Sequence, residues 1–223
     1  MTEVLDLHHP DNLENPDYSS YDEERLQQIM DYSNTIQDIQ KIYCIGDCLT
    51  LGIYIDGCCN YPTFLQDFLG KEYQVITLGR SMLKMWNLIN FSKFFIPESN
   101  SKKDIACVWC GTNDLHLGGN PNQIFTYLYD YCKLLEEKNI SVIVLTVLPR
   151  GGAYYLFEEN RTIFNQLVRE GCKNVVDITE YKVLGAEGNN KNKLYYNKDE
   201  VHLSKNGYRL VALKIFKAIK NLK

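Results

Sequence analysis

The stretch KIYCIGDCLTLG, residues 41–52, joins a short apolar run to a Gly-Asp turn and the start of a second apolar segment. A run that is apolar at almost every position, and rich in β-branched and aromatic residues, is typical of a strand covered by helices on both faces. Four later runs repeat this pattern. The predicted strands are Lys41–Gly46, Gln74–Gly79, Asp104–Cys110, Ser141–Leu148 and Asn174–Ile178.

Longer segments with apolar residues at spacings of three and four separate these runs and indicate helices. The predicted helices are Tyr61–Leu69, Met82–Phe95, Pro121–Lys138, Phe157–Glu170 and Ser204–Asn221. Ser204 is a suitable N-cap for the last of them. Alternating strands and helices predict one three-layer α/β/α doubly wound domain, residues 41–223, around a five-stranded, mainly parallel sheet.

Residues 1–40 differ in composition from the rest and are interpreted as an acidic N-terminal extension with a short helix over Tyr21–Met30. They hold ten Asp and Glu against one Arg, whereas residues 41–223 hold 18 acidic against 23 basic residues. The extension either contacts the basic body or a partner, or is a solvated tail. The basic residues of the body are scattered, so no nucleic-acid partner is expected.

Compartment and membrane attachment are inferred from three features. The chain starts with a polar, acidic segment that lacks the basic and apolar regions of a secretory signal. No stretch approaches the roughly 20 apolar residues of a membrane span, so no membrane partner is predicted. Eight cysteines without an export signal indicate reduced thiols, and the expected location is cytoplasmic.

Polar residues follow several of the predicted strands, where the ligand site of an open parallel sheet lies. The first strand is followed by Gly46-Asp47-Cys48-Leu49-Thr50, the second ends at Gly79, and the third leads into Gly111-Thr112-Asn113-Asp114. A fourth group, Asp199-Glu200-Val201-His202, precedes the last helix. These four groups are therefore predicted to form one site.

The four groups, in this order, resemble the sequence blocks of the SGNH (GDSL-like) hydrolases, and the resemblance covers about residues 41–223. It implies a flavodoxin-like sheet and an esterase or acyltransferase that acts on a small acyl ester, such as an O-acetylated carbohydrate. It also implies that Cys48 is the nucleophile and His202 the general base, with Asp199 orienting the histidine. Gly79 and Asn113 would be the oxyanion donors, through the backbone and the side chain respectively.

Cys48 departs from this family, which carries serine at the equivalent position. A helix N-terminus and a neighbouring histidine are expected to lower the pKa of the thiol, and a cysteine nucleophile implies a thioester intermediate. Because thioesters favour attack by amines and thiols, acyl transfer stands beside hydrolysis. Two alternatives remain: a serine esterase inactivated by a Ser-to-Cys change at position 48, or a catalytically inactive binding protein on the same scaffold.

The other conspicuous residues are given structural or solvent-exposed interpretations. We expect core or loop positions for Cys107, Cys110, Cys58 and Cys59, and surface positions for His116, His8 and His9. Aromatic residues in the later loops either rim the pocket or cover the backbone, namely Tyr154, Tyr155, Phe157, Tyr195 and Tyr196. No zinc-ligand spacing and no phosphate-binding glycine motif is present, so neither a metal nor a cofactor is predicted.

Overall fold

A computed structural model describes residues 18–36, 39–55, 59–90, 95, 97, 104–151, 155–185 and 192–222. Its strands are β1 (Gln40–Gly46), β2 (Tyr73–Gly79), β3 (Ile105–Trp109), β4 (Ser141–Leu145) and β5 (Val175–Val176). They form one parallel sheet in the order β2-β1-β3-β4-β5. The predicted doubly wound sheet is confirmed, because the chain adds strands first on one side of β1 and then on the other.

Helices cover both faces of this sheet. They are α1 (Tyr18–Thr35), α2 (Cys48–Leu51), α3 (Tyr61–Leu69), α4 (Met85–Asn90), α5 (Thr112–His116), α6 (Pro121–Glu137), α7 (Tyr155–Gly171), α8 (Lys182–Gly185) and α9 (Lys205–Asn221). None of the helices in the described ranges has the length and apolarity needed to cross a lipid bilayer. The Ser204 side chain accepts a hydrogen bond from Gly207 N, which confirms the predicted N-cap of α9.

Alternate residues of the central strands divide the core into two apolar layers. In β1, Tyr43 and Ile45 face the layer formed with α4, α6 and α7, whereas Ile42 and Cys44 face the layer formed with α3 and α9. Both sets are buried, so β1 is apolar on both faces. This double burial is the physical reason why the strands are recognisable as nearly continuous apolar runs.

The first described helix, α1, is longer than the predicted Tyr21–Met30 segment and is part of the packed structure. Leu26 is fully buried and Met30 is 5% exposed, and both belong to the same apolar layer as α4 and α6. The remaining residues of the acidic segment, from Met1 to Asp17, lie outside the described residues.

Several predicted elements are shorter in the structure, and β5 keeps only Val175–Val176 of the expected Asn174–Ile178. The helix expected over Met82–Phe95 begins only at Met85, after a turn in which Met82 has a positive φ of 56°. The strand expected to reach Leu148 ends at Leu145, and Val147 N donates instead to Asn165 Oδ1 at 2.8 Å.

Candidate active site

The carboxyl ends of the first three strands bring the predicted groups to one edge of the sheet. Gly46, the last residue of β1, pairs with Gly79 of β2 on one side and with Trp109 of β3 on the other. The residues that follow these three positions are therefore neighbours in space. A Cβ on Gly46 would lie 2.1 Å from the Trp109 carbonyl oxygen, so only glycine allows the strands to end this closely together.

A short, capped helix carries Cys48 directly after β1. Asp47 is the N-cap of α2, and its Oδ1 accepts a hydrogen bond from Leu49 N at 2.9 Å. The Asp47 carbonyl accepts from Thr50 N and Leu51 N, both at 3.0 Å. Within the described part of the chain the Cys48 amide has no acceptor, so it is available to a ligand at this turn.

Burial dominates the chemistry of the Cys48 thiol. The residue is only 6% exposed. Burial raises the pKa of the thiol, and the Asp47 charge raises it further, whereas Arg150 and the amides at the start of α2 lower it by less. The lowered pKa expected from the sequence is therefore wrong for this structure, because desolvation outweighs the helix N-terminus.

The loop before α9 holds a histidine and an aspartate in direct contact. His202 Nδ1 and Asp199 Oδ2 are 2.5 Å apart, and Asp199 Oδ1 accepts from the Val201 and His202 amides at 3.0 Å. Burial acts to raise the pKa of Asp199, but the hydrogen bonds from His202 and the two amides outweigh it and lower that pKa. The aspartate therefore remains an anion that fixes the ring.

The other ring nitrogen of His202 faces the interior of the site. His202 Nε2 is buried and has no hydrogen-bond partner among the described residues, so no hydrogen bond joins it to the Cys48 thiol. The Tyr54 ring, six residues beyond Cys48, packs edge-on against the imidazole with ring centroids 5.1 Å apart. Tyr54 thereby links the Cys48 turn to the histidine loop.

Gly79 is fitted tightly against the Cys48 turn. A Cβ at this position would lie 2.6 Å from Leu51 N, so packing against α2 requires glycine here. The peptide after Gly79 is held at both ends: Arg25 Nη2 donates to the Gly79 carbonyl at 2.5 Å, and Arg80 N donates to the Gly46 carbonyl at 3.0 Å. Arg25 belongs to α1.

The residues after β3 bind the loop that follows Gly79. Asn113 is buried, and its Nδ2 donates to the Leu83 carbonyl at 3.1 Å. Both carboxylate oxygens of Asp114 lie 3.0 Å from Met85 N. Burial raises the pKa of Asp114 to about 6. Asn113 thus has one amide proton engaged in this loop contact, and no described residue accepts the second one, which is available to a ligand.

Sequence reasoning missed two groups that lie beside the predicted residues. Tyr208, on α9, is fully buried; burial raises the pKa of its hydroxyl well above the usual value, and the charges of Cys48 and Asp47 raise it further. Arg150, in the loop after β4, acts electrostatically on Cys48, Asp47 and Asp199. Neither residue stands in a local motif, so only the folded chain brings them to the site.

Most of the structural interpretations of the other residues are confirmed. Cys107 and Cys110 are buried and face opposite apolar layers, as three-residue spacing in a strand requires. Cys59 is buried and His116 is exposed. Phe157 and Tyr196 are buried and Tyr195 is half-buried. Outside the described residues or side chains lie Cys58, His8, His9, Tyr154 and Tyr155.

A five-stranded parallel sheet with polar groups at its carboxyl edge is the architecture of an α/β enzyme. The sequence profile of the GDSL-like lipase/acylhydrolase family matches residues 44–210. The chain therefore belongs to this family, whose members are hydrolases that act on esters. A comparison with curated proteins found no significant match.

Solved structures with the same fold include several esterases. A lipolytic protein of the G-D-S-L family from Desulfitobacterium hafniense has a TM-score of 0.67 at 19% identity, over 80% of this chain and 99% of that one. An acetyl xylan esterase has a TM-score of 0.60 at 19% identity, over 80% of this chain and 99% of that one. An aryl esterase from M. smegmatis has a TM-score of 0.63 at 15% identity, over 82% of this chain and 100% of that one. At these identities the likeness establishes the shared fold.

Proposed function

We propose that the protein hydrolyses or transfers an acyl group through Cys48 as nucleophile. His202 takes the thiol proton on Nε2, and Asp199 holds the imidazole in the tautomer that allows this. The Cys48 amide, the Gly79 amide and the Asn113 side chain donate to the oxyanion. The product of the first step is a thioester on Cys48.

The observation that carries this proposal is the state of the two His202 nitrogens. Nδ1 is bound to Asp199 at 2.5 Å, whereas Nε2 is buried and lacks a partner. Burying a polar atom without a hydrogen-bond partner costs about 1–3 kcal/mol of folding free energy. We therefore expect such an atom where a ligand or a reacting proton engages it. The same sheet edge holds the Cys48 turn, on which such a proton is available.

The raised thiol pKa determines how the first step proceeds. The thiol is protonated at neutral pH, so its proton moves to His202 as sulfur attacks the carbonyl carbon. When the tetrahedral intermediate collapses, the C–O bond breaks and the leaving alcohol receives that proton from the imidazolium. Water, an alcohol or an amine then attacks the thioester carbonyl while His202 accepts its proton. The C–S bond breaks, the imidazolium returns the proton to the Cys48 sulfur, and the acid, ester or amide is released.

The substrate we propose is a small acyl ester, with an O-acetylated carbohydrate as the default. The family acts on esters, and one structural neighbour is an acetyl xylan esterase. Acyl transfer stands beside hydrolysis because a thioester reacts readily with amines and thiols.

A second candidate is a binding protein that does not turn substrate over. The observation that favours it is the buried Cys48 thiol, which forms no hydrogen bond with His202 in the described structure. A serine esterase inactivated at position 48 would have the same geometry. Neither alternative forms an acyl-enzyme at Cys48, whereas the proposed enzyme does.

The test is a burst of p-nitrophenol from p-nitrophenyl acetate in the wild type and in three variants. We expect a burst equal to the enzyme concentration in the wild type and in Cys172→Ser. Cys172 is a half-buried free cysteine in the loop before β5, so its variant is the matched control. Cys48→Ala should show no burst. Cys48→Ser should be slower than the wild type, since His202 must then deprotonate a much less acidic hydroxyl.

Two results would favour the alternatives. A Cys48→Ser variant that is much faster than the wild type indicates a serine esterase whose nucleophile has been replaced. Absence of a burst in both the wild type and Cys48→Ser, with ester binding retained, indicates a binding protein.

A further inference from the structure

The loop after β4 places Arg150 against the segment that carries His202. Gly151 N donates to the Glu200 carbonyl at 2.8 Å. A Cβ on Gly151 would lie 2.1 Å from the Glu200 Cβ, so the two loops are packed too closely for any residue but glycine. Arg150 therefore lies in a loop that packs against the histidine loop.

The Arg150 guanidinium rests on an aromatic ring rather than on an acid. Its Cζ lies 5.9 Å from the centroid of the Phe157 ring, and Phe157 is fully buried. This cation–π contact holds the guanidinium, with its five N–H donors, over the ring. The side chain is half-buried, so these donors are partly removed from water.

Two of the acids near Arg150 are engaged with other groups. Glu158 pairs with Arg161 at 2.7 Å and accepts only the backbone N–H of Arg150, at 3.4 Å. Asp199 is bound to His202. In the part of the chain that the structure describes, no hydrogen bond or ion pair satisfies the Arg150 guanidinium.

A guanidinium that is half-buried, oriented and lacks an acid partner, within electrostatic reach of the candidate nucleophile, is suited to a charged ligand. The charges of Cys48, Asp47 and Asp199 act on it, and the bond from Gly151 N to the Glu200 carbonyl holds its loop against the segment that carries His202. Asp199, which remains an anion, would repel an anionic substrate. Arg150 supplies the opposite charge that such a substrate needs.

We infer that Arg150 is a specificity-determining residue that binds an anionic group, a carboxylate or a phosphate, on the ester substrate. This inference rests on the proposed function, because it concerns the substrate of the same site. The planar N–H donors of Arg150 bind two oxygens of the anion while the ester carbonyl lies at Cys48. The substrate class is then a small ester with a negative charge close to the cleaved bond.

The test compares two p-nitrophenyl esters of similar size, the neutral butyrate and the anionic mono-glutarate. We expect the wild type to prefer the glutarate in kcat/KM by about 10-fold or more, as a charge-assisted bidentate contact provides. Arg150→Gln should lose this preference, and Arg150→Lys should keep part of it. Arg209→Gln, at an exposed arginine of α9, is the matched control and should retain the preference.

Two further arms identify which part of the substrate carries the charge and exclude a nonspecific effect. The acetyl ester of 4-hydroxybenzoate carries its charge on the alcohol side of the ester. The acetyl ester of 4-hydroxybenzamide is its neutral counterpart. The preference of the wild type should decrease with added salt, since screening weakens a contact of this kind. No preference in either ester pair, or a preference that survives Arg150→Gln, overturns the inference.

Binding of uncleavable analogues separates this inference from the proposed function. Calorimetric titration with glutaramate, which is anionic, and glutaramide, which is neutral, needs no turnover. Selective binding of glutaramate that Arg150→Gln abolishes supports the anion site even if no ester is cleaved. Equal binding of the two analogues overturns it, whatever the esterase assays show.

Discussion

Replacing Asp47 by asparagine removes a buried charge while keeping the cap of α2. Asp47 is 1% exposed, and its Oδ1 accepts from Leu49 N at 2.9 Å. Burial raises the pKa of Asp47 from 3.8 to about 7, and Asp114 adds to this, whereas the Leu49 bond and Arg150 oppose it. Asparagine has the same shape and retains an oxygen acceptor for Leu49, but it cannot ionise.

The sign of the effect follows from the two pKa values. Between pH 3.8 and about 7 the unfolded chain has released the Asp47 proton, whereas the folded chain still holds it. The unfolded state binds fewer protons over this range, so the free energy of unfolding decreases as the pH rises. At about 1.4 kcal/mol for each tenfold change in proton affinity, the loss by pH 8 is about 4 kcal/mol.

The assay is urea unfolding, followed by circular dichroism, at several pH values from 4 to 8. The buried amide of Asp47→Asn adds a penalty of about 1–3 kcal/mol that does not depend on pH. We therefore expect the difference in free energy of unfolding, variant minus wild type, to rise by about 4 kcal/mol between pH 4 and pH 8.

Asp177→Asn provides a control of opposite sign. Burial acts to raise the pKa of Asp177, but bonds from Arg169, Thr179 and Thr146 outweigh it and lower that pKa. Asp177 thus stabilises the fold above its unfolded pKa, and the stabilisation is lost as the pH falls through its folded pKa. Because that window lies at and below the unfolded pKa of 3.8, this control is followed from pH 2, and Asp177→Asn should lose stability relative to the wild type as the pH rises to about 5. A pH-independent difference for Asp47→Asn refutes the reasoning.

Three further outcomes follow from the site. The protonated, buried Cys48 thiol should show no thiolate absorbance at neutral pH. Peptide mapping should show that iodoacetamide modifies the half-buried Cys172 before Cys48. Arg25→Met, which removes a donor from the Gly79 carbonyl, should lower kcat by about 10-fold with little change in KM, and Arg25→Lys should recover part of the loss. His202→Ala should reduce kcat by a far larger factor than Asp199→Asn, with circular dichroism showing both variants folded.

The strands and the positions of the candidate site residues could be predicted because their signals are local. β1 and β3 are apolar on both faces, so their sequences indicate strands without knowledge of their neighbours. The groups that follow them fall at one edge of the sheet because parallel strands share a direction. Spacing alone places Asp199 and His202 on one turn, where they do form a hydrogen bond.

Features that depend on long-range packing could not be predicted. The helix N-terminus at Cys48 is visible in the sequence, but the burial that raises the thiol pKa comes from distant elements. Arg25 reaches the Gly79 carbonyl across 54 residues of sequence, and no local pattern indicates that contact. Arg150 likewise follows an ordinary strand and is brought to the site only by the contact between two loops.

The most direct test of the account is mass spectrometry of the protein quenched in acid during reaction with p-nitrophenyl acetate. The account predicts one acetyl group on the peptide containing Cys48, which hydroxylamine removes. The group should be absent from Cys48→Ala and strongly reduced in His202→Ala. Release of p-nitrophenol without acetylation of Cys48, or equal acetylation of the wild type and Cys48→Ala, would contradict the assignment of Cys48 as the nucleophile.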